Sequence, residues 1–214
     1  MKYELLVFDW DGTLMDSVAK IVACTQAAAH DLGLNVPDYD EAKQIIGLGL
    51  HEAMARLFDI IDEDEVQRVA AQYRHHFLGD EPTPEVMFDG AEVLLRELES
   101  QGYMLAVATG KSRRGLDHVL EKTSLEDLFH ITRCADEAFS KPHPQMLHEI
   151  MNFTGVDASK TLMIGDTEYD MQMAGNARVD GLGVTYGVHS RQHLLDNGAL
   201  DCIDAISHLR NWLI

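Results

Sequence analysis

Residues 5–14 read LLVFDWDGTL, an apolar run that ends in two acidic residues and a glycine-bearing turn. The consecutive apolar residues 5–8 are typical of a short strand that is buried on both faces, as in a parallel sheet. Asp9 then stands at the carboxyl end of that strand, and Asp11 follows two residues later. Because ligands bind at the carboxyl edge of open parallel sheets, this stretch predicts both the first central strand and the place of a functional site.

Beyond residue 84 the pattern alternates between strands and helices. Short apolar runs predict strands at 103–108, 131–134, 161–165 and 182–185. Apolar residues at helical spacing predict helices at 91–100, 113–122, 144–153, 168–176 and 206–213. This alternation predicts an α/β fold, in which a parallel sheet carries helices on both faces and right-handed crossovers connect its strands.

The segment between residues 15 and 83 carries no strand pattern and is predicted to be helical. Apolar residues at steps of three and four indicate helices at 17–32, 39–46, 51–58 and 63–78. The run Glu81-Pro82-Thr83-Pro84 ends this series, because proline removes a backbone donor and disfavours helix before it. We therefore expect a core domain of residues 1–14 and 84–214, with a helical cap domain, residues 15–83, inserted after the first strand.

Composition excludes several classes of partner. Acidic residues outnumber basic ones by 36 to 17, and the formal net charge of −19 at pH 7 repels nucleic acid and anionic lipid. No run approaches the roughly 20 apolar residues that span a bilayer, and the apolar run at the start is too short for a signal peptide. The three cysteines are far apart and are typical of reduced thiols. We expect a cytoplasmic protein without a nucleic-acid or membrane partner, while its oligomeric state stays open.

Further polar motifs follow the predicted strands or lie on loops between them. They are Thr109-Gly110 after the second strand, Gly165-Asp166 with Asp170 after a later strand, and Lys141-Pro142 on a loop. Any one of these motifs alone favours a structural role, since Asp and Gly are ordinary turn and helix-cap residues. Their joint placement where parallel strands end favours a catalytic site.

In order along the chain, these motifs resemble those of haloacid dehalogenase superfamily phosphatases. The resemblance extends from Asp9 to Asp170, and the helical insert resembles the cap subtype of that superfamily that is built of helices. It implies a Rossmann-like doubly wound parallel sheet and a magnesium-dependent phosphohydrolase. Residues 11–17, DGTLMDS, together with the helical cap, resemble phosphoglycolate phosphatases and imply a small phosphorylated metabolite as substrate.

The chemistry of phosphate esters suggests a role for each acidic residue. These esters hydrolyse so slowly in water that an enzyme must neutralise charge and position the reactants almost completely. Asp9 is predicted to attack phosphorus and form an aspartyl-phosphate. Asp11 is predicted to protonate the leaving oxygen and then to take a proton from the attacking water. Asp9, Asp166 and the backbone carbonyl of Asp11 suit Mg²⁺, which prefers oxygen ligands.

Other residues are predicted to bind the phosphoryl group or to support the acidic residues. Lys141 brings a compact positive charge to the nucleophile and the transferring group, while the Thr109 hydroxyl and the Gly110 amide can donate to phosphoryl oxygens. Asp170 lies four residues after Asp166, on the same side of the helix start. It is predicted to hold Lys141 or a metal-bound water.

The cap contains a glycine pair, Gly47-Leu48-Gly49-Leu50, between two predicted helices. Glycine allows close backbone approach, so this turn is a candidate to face the core, with Gly47 contacting substrate. A plain helix–helix turn is the alternative.

Other functions stay open. A β-phosphoglucomutase-like enzyme would share Asp9, Asp11 and the cap, but the lack of an arginine directly after the cap glycines favours hydrolysis. A phosphonoacetaldehyde hydrolase would need a Schiff-base lysine in the cap, where only Lys20 and Lys43 occur. A non-catalytic, receiver-like domain would be phosphorylated once on Asp9, but its phosphoacceptor would follow a later strand and it would lack the helical insert.

Overall fold

The computed structural model describes residues 2–79 and 83–214. Within them the strands are β1 Leu5–Phe8, β2 Met15–Asp16, β3 Val86–Met87, β4 Met104–Thr109, β5 Ile131–Cys134, β6 Thr161–Gly165, β7 Asp180–Val184 and β8 Asp201–Ile203. The helices are α1 Val18–Asp31, α2 Tyr39–Lys43, α3 Leu50–Phe58, α4 Glu63–Leu78, α5 Ala91–Ser100, α6 Arg113–Thr123, α7 Gln145–Thr154, α8 Glu168–Ala177, α9 Arg191–Asp196 and α10 Leu209–Trp212. Three 3-10 turns lie at Glu126–Leu128, Ala158–Lys160 and Ile206–His208.

Six strands form one parallel sheet in the order β5-β4-β1-β6-β7-β8. The chain begins at β1 in the middle, winds outward through β4 and β5, and then returns to wind the other way through β6, β7 and β8. Phe8, the last residue of β1, is in register with Val107 of β4 and Ile164 of β6. The predicted α/β class and doubly wound parallel sheet are confirmed, and the residues that follow β1, β4 and β6 meet at one edge.

The central strand is apolar throughout because each of its faces is covered. Leu6 and Phe8 lie in a core with the buried leucines of α5 and α6, whereas Leu5 and Val7 lie in a second core with α7 and α8. Every residue of β1 has no exposed surface. Burial of both faces accounts for the unbroken apolar run that the sequence shows before Asp9.

Four helices, α1 to α4, lie between the two-residue strands β2 and β3 in the described part of the chain; below they are called the cap, and the sheet with its other helices is called the core. Helix α4 packs against α1 and α3, and α2 packs against α1. Strands β2 and β3 pair antiparallel where the chain leaves and re-enters the core, with Met15 opposite Met87. The predicted break at Glu81 and Pro82 lies outside the described residues, and the domain limits 15–83 and 84–214 stay a prediction.

Several short elements differ from the sequence-based prediction. The pairing of β2 with β3 was not predicted, and neither were α9 and β8. Each of these elements has six residues or fewer, too short for a periodic pattern to stand out. The predicted final helix, 206–213, divides into a 3-10 turn and α10, and the predicted helix 39–46 already ends at Lys43. None of the described helices is long and apolar enough to span a bilayer, and the cysteines form no disulfide.

Candidate active site

A buried ammonium group bridges two carboxylates at the carboxyl edge of the sheet. Lys141 Nζ lies 2.8 Å from Oδ1 of Asp9 and 2.6 Å from Oδ1 of Asp170. All three side chains are at most 1% exposed. The structure thus brings Lys141, on the loop before α7, to Asp9, which follows β1. It also places Asp170 against Lys141, which is one of the two contacts predicted for Asp170.

The start of α8 holds Asp170 in place. Thr167 is the N-cap residue, and its hydroxyl accepts a hydrogen bond from the Asp170 amide while donating to Asp170 Oδ2 at 2.6 Å. The Thr167 amide also donates to Asp170 Oδ2, at 3.1 Å. A carboxylate in the first helical turn is further stabilised by the helix dipole. Only Oδ1 of Asp170 is left to face Lys141.

Asp166, directly after β6, is fully buried and is held by donors from two loops. Its Oδ1 accepts from the Thr13 hydroxyl at 3.0 Å, and its Oδ2 accepts from the Val188 amide at 2.8 Å. Two glycines leave room for this carboxylate, because a Cβ added at Gly12 or Gly187 would lie only 2.2 or 2.3 Å from Asp166 Oδ2. The packing therefore confines the Asp166 side chain to one position.

Asp9, Asp166 and Asp170 crowd their carboxylate oxygens within 4.8 Å of one another. Burial raises the pKa of Asp9 well above its ordinary value, and burial with the nearby charge of Asp170 raises the pKa of Asp166 to about 7. Burial alone would lower the pKa of Lys141, but the carboxylates of Asp170 and Asp9 outweigh it and raise that pKa. One ammonium faces three carboxylates, so the cluster carries excess negative charge when ionised.

The cluster fits a hard divalent cation. Asp9 Oδ2 is buried and has no hydrogen-bond partner among residues 2–79 and 83–214. Carboxylate oxygens are the ligands that Mg²⁺ prefers, and its charge would balance the excess negative charge. Asp9 and Asp166 are both placed to contribute, and the backbone carbonyl of Asp11 stays a predicted third ligand.

The Asp11 carboxylate is held separately from this cluster. Its Oδ1 accepts from the Ser17 hydroxyl at 2.6 Å, and Lys111 Nζ lies 2.8 and 3.1 Å from its two oxygens. Burial would lower the pKa of Lys111, but the carboxylates of Asp11 and Glu85 raise it. No sequence motif assigned a role to Lys111, although it directly follows Thr109-Gly110.

The glycine turn of the cap reaches the core at the predicted site. A Cβ added at Gly110 would lie 2.4 Å from the carbonyl oxygen of Leu48. Gly47, at a φ of 101°, packs against Thr167, and the Gly49 amide donates to Ser140 Oγ at 2.8 Å. The turn therefore faces the core, as predicted, and is not merely a connection between two helices.

A cavity of about 360 Å³ lies between the core and the cap. Asp9, Asp11, Thr109 and Gly110 line its core side, and Gly47 lines it from the cap. The rest of the cap side is mostly apolar and includes Ile21, Ile45, Ile46, Leu48, Met54 and Phe77. Arg74 and Arg114 also line this cavity, and no sequence motif pointed to them.

A second group of possible metal ligands does not favour a metal. Glu168, His189 and His193 bring ligand atoms close together near the start of α8. However, His189 Nδ1 accepts a hydrogen bond from the Glu168 amide at 2.9 Å, so the ring proton belongs on Nε2, which lies 3.3 Å from Gln44 Oε1. The imidazole then has no lone pair left for a cation.

The chain matches known proteins over most of its length. The family model described as haloacid dehalogenase-like hydrolase matches residues 6–184. A Dickeya dadantii protein named probable phosphatase IndB is 36% identical, covering 89% of this chain and 84% of its own length. The phosphoglycolate phosphatase of Colwellia psychrerythraea is 28% identical, covering 96% and 95%. The crystal structure of a predicted phosphatase from Clostridium acetobutylicum has a TM-score of 0.89 at 26% identity, covering 100% and 99%.

The packing of Gly12 against Asp166 predicts a large effect of one added methyl group. Gly33 is the matched control, since its φ of 67° resembles the 79° of Gly12 but an added Cβ would meet nothing within 4 Å. Gly33→Ala should cost only backbone strain, about 1 kcal/mol, and Gly12→Ala should cost about 1–3 kcal/mol more through overpacking. Urea unfolding of both variants measures the difference. Equal losses would show that the contact with Asp166 is not tight.

Proposed function

The chain belongs to the haloacid dehalogenase-like hydrolase family, and we propose that it is a magnesium-dependent phosphatase acting on a small phosphorylated metabolite through an aspartyl-phosphate. One observation carries the proposal: Asp9 lines the cavity with Oδ1 held by Lys141 and Oδ2 without a hydrogen-bond partner in the described part of the chain. A buried carboxylate that lines a cavity and has an oxygen without a hydrogen-bond partner has electron pairs available both for attack on phosphorus and for a cation.

Asp9 attacks phosphorus in this proposal, and the contact with Lys141 favours the ionised form of Asp9 and fixes its orientation. The ammonium stabilises the charged form of the nucleophile. It also stabilises the negative charge on the phosphoryl group as the ester bond breaks. Asp170, ion-paired to the same ammonium, holds Lys141 at this position. The Thr109 hydroxyl and the Gly110 amide lie beside the cavity and are suited to donate to phosphoryl oxygens.

Mg²⁺, when bound, would neutralise charge between the anionic nucleophile and the anionic ester. Asp9, Asp166 and the backbone carbonyl of Asp11 are the proposed ligands. Asp170 also lies within reach of the cluster, but its Oδ1 is occupied by Lys141 and its Oδ2 by Thr167. We therefore give Asp170 the supporting role and not a direct place on the metal.

Asp11 serves as the general acid and then as the general base. It lines the cavity beside Asp9, so it can give a proton to the leaving oxygen and later take one from the water that attacks the aspartyl-phosphate. The Asp11 carboxylate is not one of the proposed metal ligands, so a bound cation would not block its exchange of a proton.

We propose that residues 15–83 act as a cap that excludes water and selects the substrate, with Gly47 at the contact. The relatives support a phosphatase, and one of them is named for phosphoglycolate. A two-carbon acidic phosphate is accordingly the first substrate to test. Phosphoryl return to a sugar, or a single phosphorylation without turnover, would be recognised in the same assays.

The nucleophile assignment predicts the outcome of one substitution. Asp9→Asn should lower phosphate release by roughly 10³-fold or more, because the amide cannot form the covalent intermediate. Asp136→Asn is the matched control, since Asp136 lines the same cavity but is exposed. It should keep activity close to that of the unchanged protein. Near-normal turnover in Asp9→Asn would exclude Asp9 as nucleophile.

The metal assignment predicts a difference between two other substitutions. Mg²⁺ at 100 times its dissociation constant should stabilise the folded chain by about 2.7 kcal/mol, measured by thermal unfolding with and without chelator. Asp166→Asn should lose this stabilisation. Asp11→Asn should retain it, because its proposed ligand is a backbone carbonyl. Loss of the magnesium effect in Asp11→Asn would mean that its side chain binds the metal.

The substrate is tested with a panel of phosphate esters. Phosphate release is measured for phosphoglycolate, hexose phosphates and other small phosphorylated metabolites, with Mg²⁺ and with chelator. We expect magnesium-dependent release over many turnovers, with phosphoglycolate or a similar acid among the best substrates. Isomerised hexose phosphate without release would identify a mutase, and a single phosphorylation per chain would identify a phosphoacceptor domain.

A further inference from the structure

Four charged side chains form a buried series of ion pairs that ends on Asp11. This series, Lys20, Glu85, Lys111 and Asp11, is called the charge chain below. Lys111 Nζ lies 2.8 Å from Asp11 Oδ1 and 3.7 Å from Glu85 Oε1, and Glu85 Oε2 lies 3.2 Å from Lys20 Nζ. The four side chains are between 3% and 11% exposed. Positive and negative charges alternate along the chain and balance, so each buried charge has an opposite neighbour.

An aromatic ring of the cap covers both ammonium groups of this chain. Lys20 Nζ lies 4.6 Å, and Lys111 Nζ 4.5 Å, from the centre of the Phe77 ring. Each distance is suitable for a cation–π interaction. Lys20 belongs to α1, Phe77 to α4 and Lys111 to the loop after β4, while Glu85 directly precedes β3. The charge chain therefore joins the cap to the core at Asp11.

Resting on the proposed function, we propose that Lys111 is a positioning residue for Asp11 and that Glu85, Lys20 and Phe77 hold Lys111 in place. Ser17 anchors only Oδ1 of Asp11, which leaves the plane of the carboxyl group free to rotate. Lys111 contacts both oxygens and removes that freedom. A group that exchanges a proton with the leaving oxygen must keep its geometry, because proton transfer depends on a short, aligned contact.

The surroundings of Lys111 argue against a main role in binding the ester. Its ammonium already faces the carboxylates of Asp11 and Glu85. Arg74 and Arg114 line the same cavity, and their guanidinium groups make no hydrogen bond or ion pair with another described residue. Those two guanidinium groups are better suited to attract an anionic part of the substrate.

The test is the dependence of kcat/KM on the leaving group. p-Nitrophenolate departs without a proton, whereas an alkoxide needs one, so misplacing Asp11 should harm an alkyl phosphate far more. For Lys111→Met we expect kcat/KM to fall about 10²-fold for the alkyl phosphate that the panel identifies as best. For p-nitrophenyl phosphate the fall should be less than about tenfold. Lys111→Arg should recover part of the loss for the alkyl phosphate.

Arg114→Met is the matched control, because it removes a cation from the same cavity without touching Asp11. It should raise KM for the alkyl phosphate and leave kcat close to that of the unchanged protein, because Arg114 attracts the substrate and takes no part in proton transfer, whereas the loss in Lys111→Met should lie in kcat. An equal fall for both esters in Lys111→Met, with a raised KM, would overturn the proposal and mean that Lys111 binds the ester. Asp9→Asn separates this failure from failure of the proposed function. If the proposed function is wrong, Asp9→Asn stays active; if only the role of Lys111 is wrong, Asp9→Asn is still inactive.

Two further variants keep the proposal testable if Lys111→Met folds poorly in thermal unfolding. The double variant Lys111→Met with Glu85→Gln removes one charge of each sign and should show the same leaving-group dependence. Phe77→Leu leaves all four charges in place and should show a smaller loss, again confined to the alkyl phosphate. Equal effects on both esters in these variants would likewise overturn the positioning role.

Discussion

The attraction between the Lys141 ammonium and the carboxylates of Asp9 and Asp170 is the interaction on which the rest of the site depends. Removing one partner from a buried ion pair costs about 3–5 kcal/mol, because the other charge stays in a poorly polar environment. The fold meets this demand with three separate elements: the end of β1, the loop before α7 and the first turn of α8. The position of β1 between β4 and β6 is what allows them to converge.

Core and cap contribute different chemistry to one cavity. The core side supplies Asp9, Asp11 and Thr109, while the cap supplies mostly apolar side chains. The Leu48 carbonyl lies so close to Gly110 that a side chain at that position would be excluded. This division agrees with a reaction centre carried by the sheet edge and a selective surface carried by the helices, a common arrangement in enzymes built on rigid scaffolds.

The strand-end residues can be located from the sequence because their position depends on local pattern alone. Asp9 and Asp166 follow apolar runs, and parallel strands bring such residues to one edge whatever the details of packing. The charge chain from Lys20 to Asp11 could not be found in this way. Glu85 and Lys20 are 65 residues apart, and Lys111 and Asp11 are 100 apart. Their meeting depends on how the cap is placed on the core, and no period or motif in the sequence encodes that placement.

Short elements escaped prediction for a related reason. β8 gains its strand conformation from pairing with β7, and β2 gains its conformation from β3, so neither is specified by its own residues.

The β2–β3 pairing has an evolutionary consequence. Because both crossings of the chain between core and cap meet in one two-stranded ribbon, the helices beyond it can vary without disturbing the strands that precede Asp9 and Asp166. Changes in these helices that keep Lys20 and Phe77 would alter the wall of the cavity and leave the contacts around Asp11 in place.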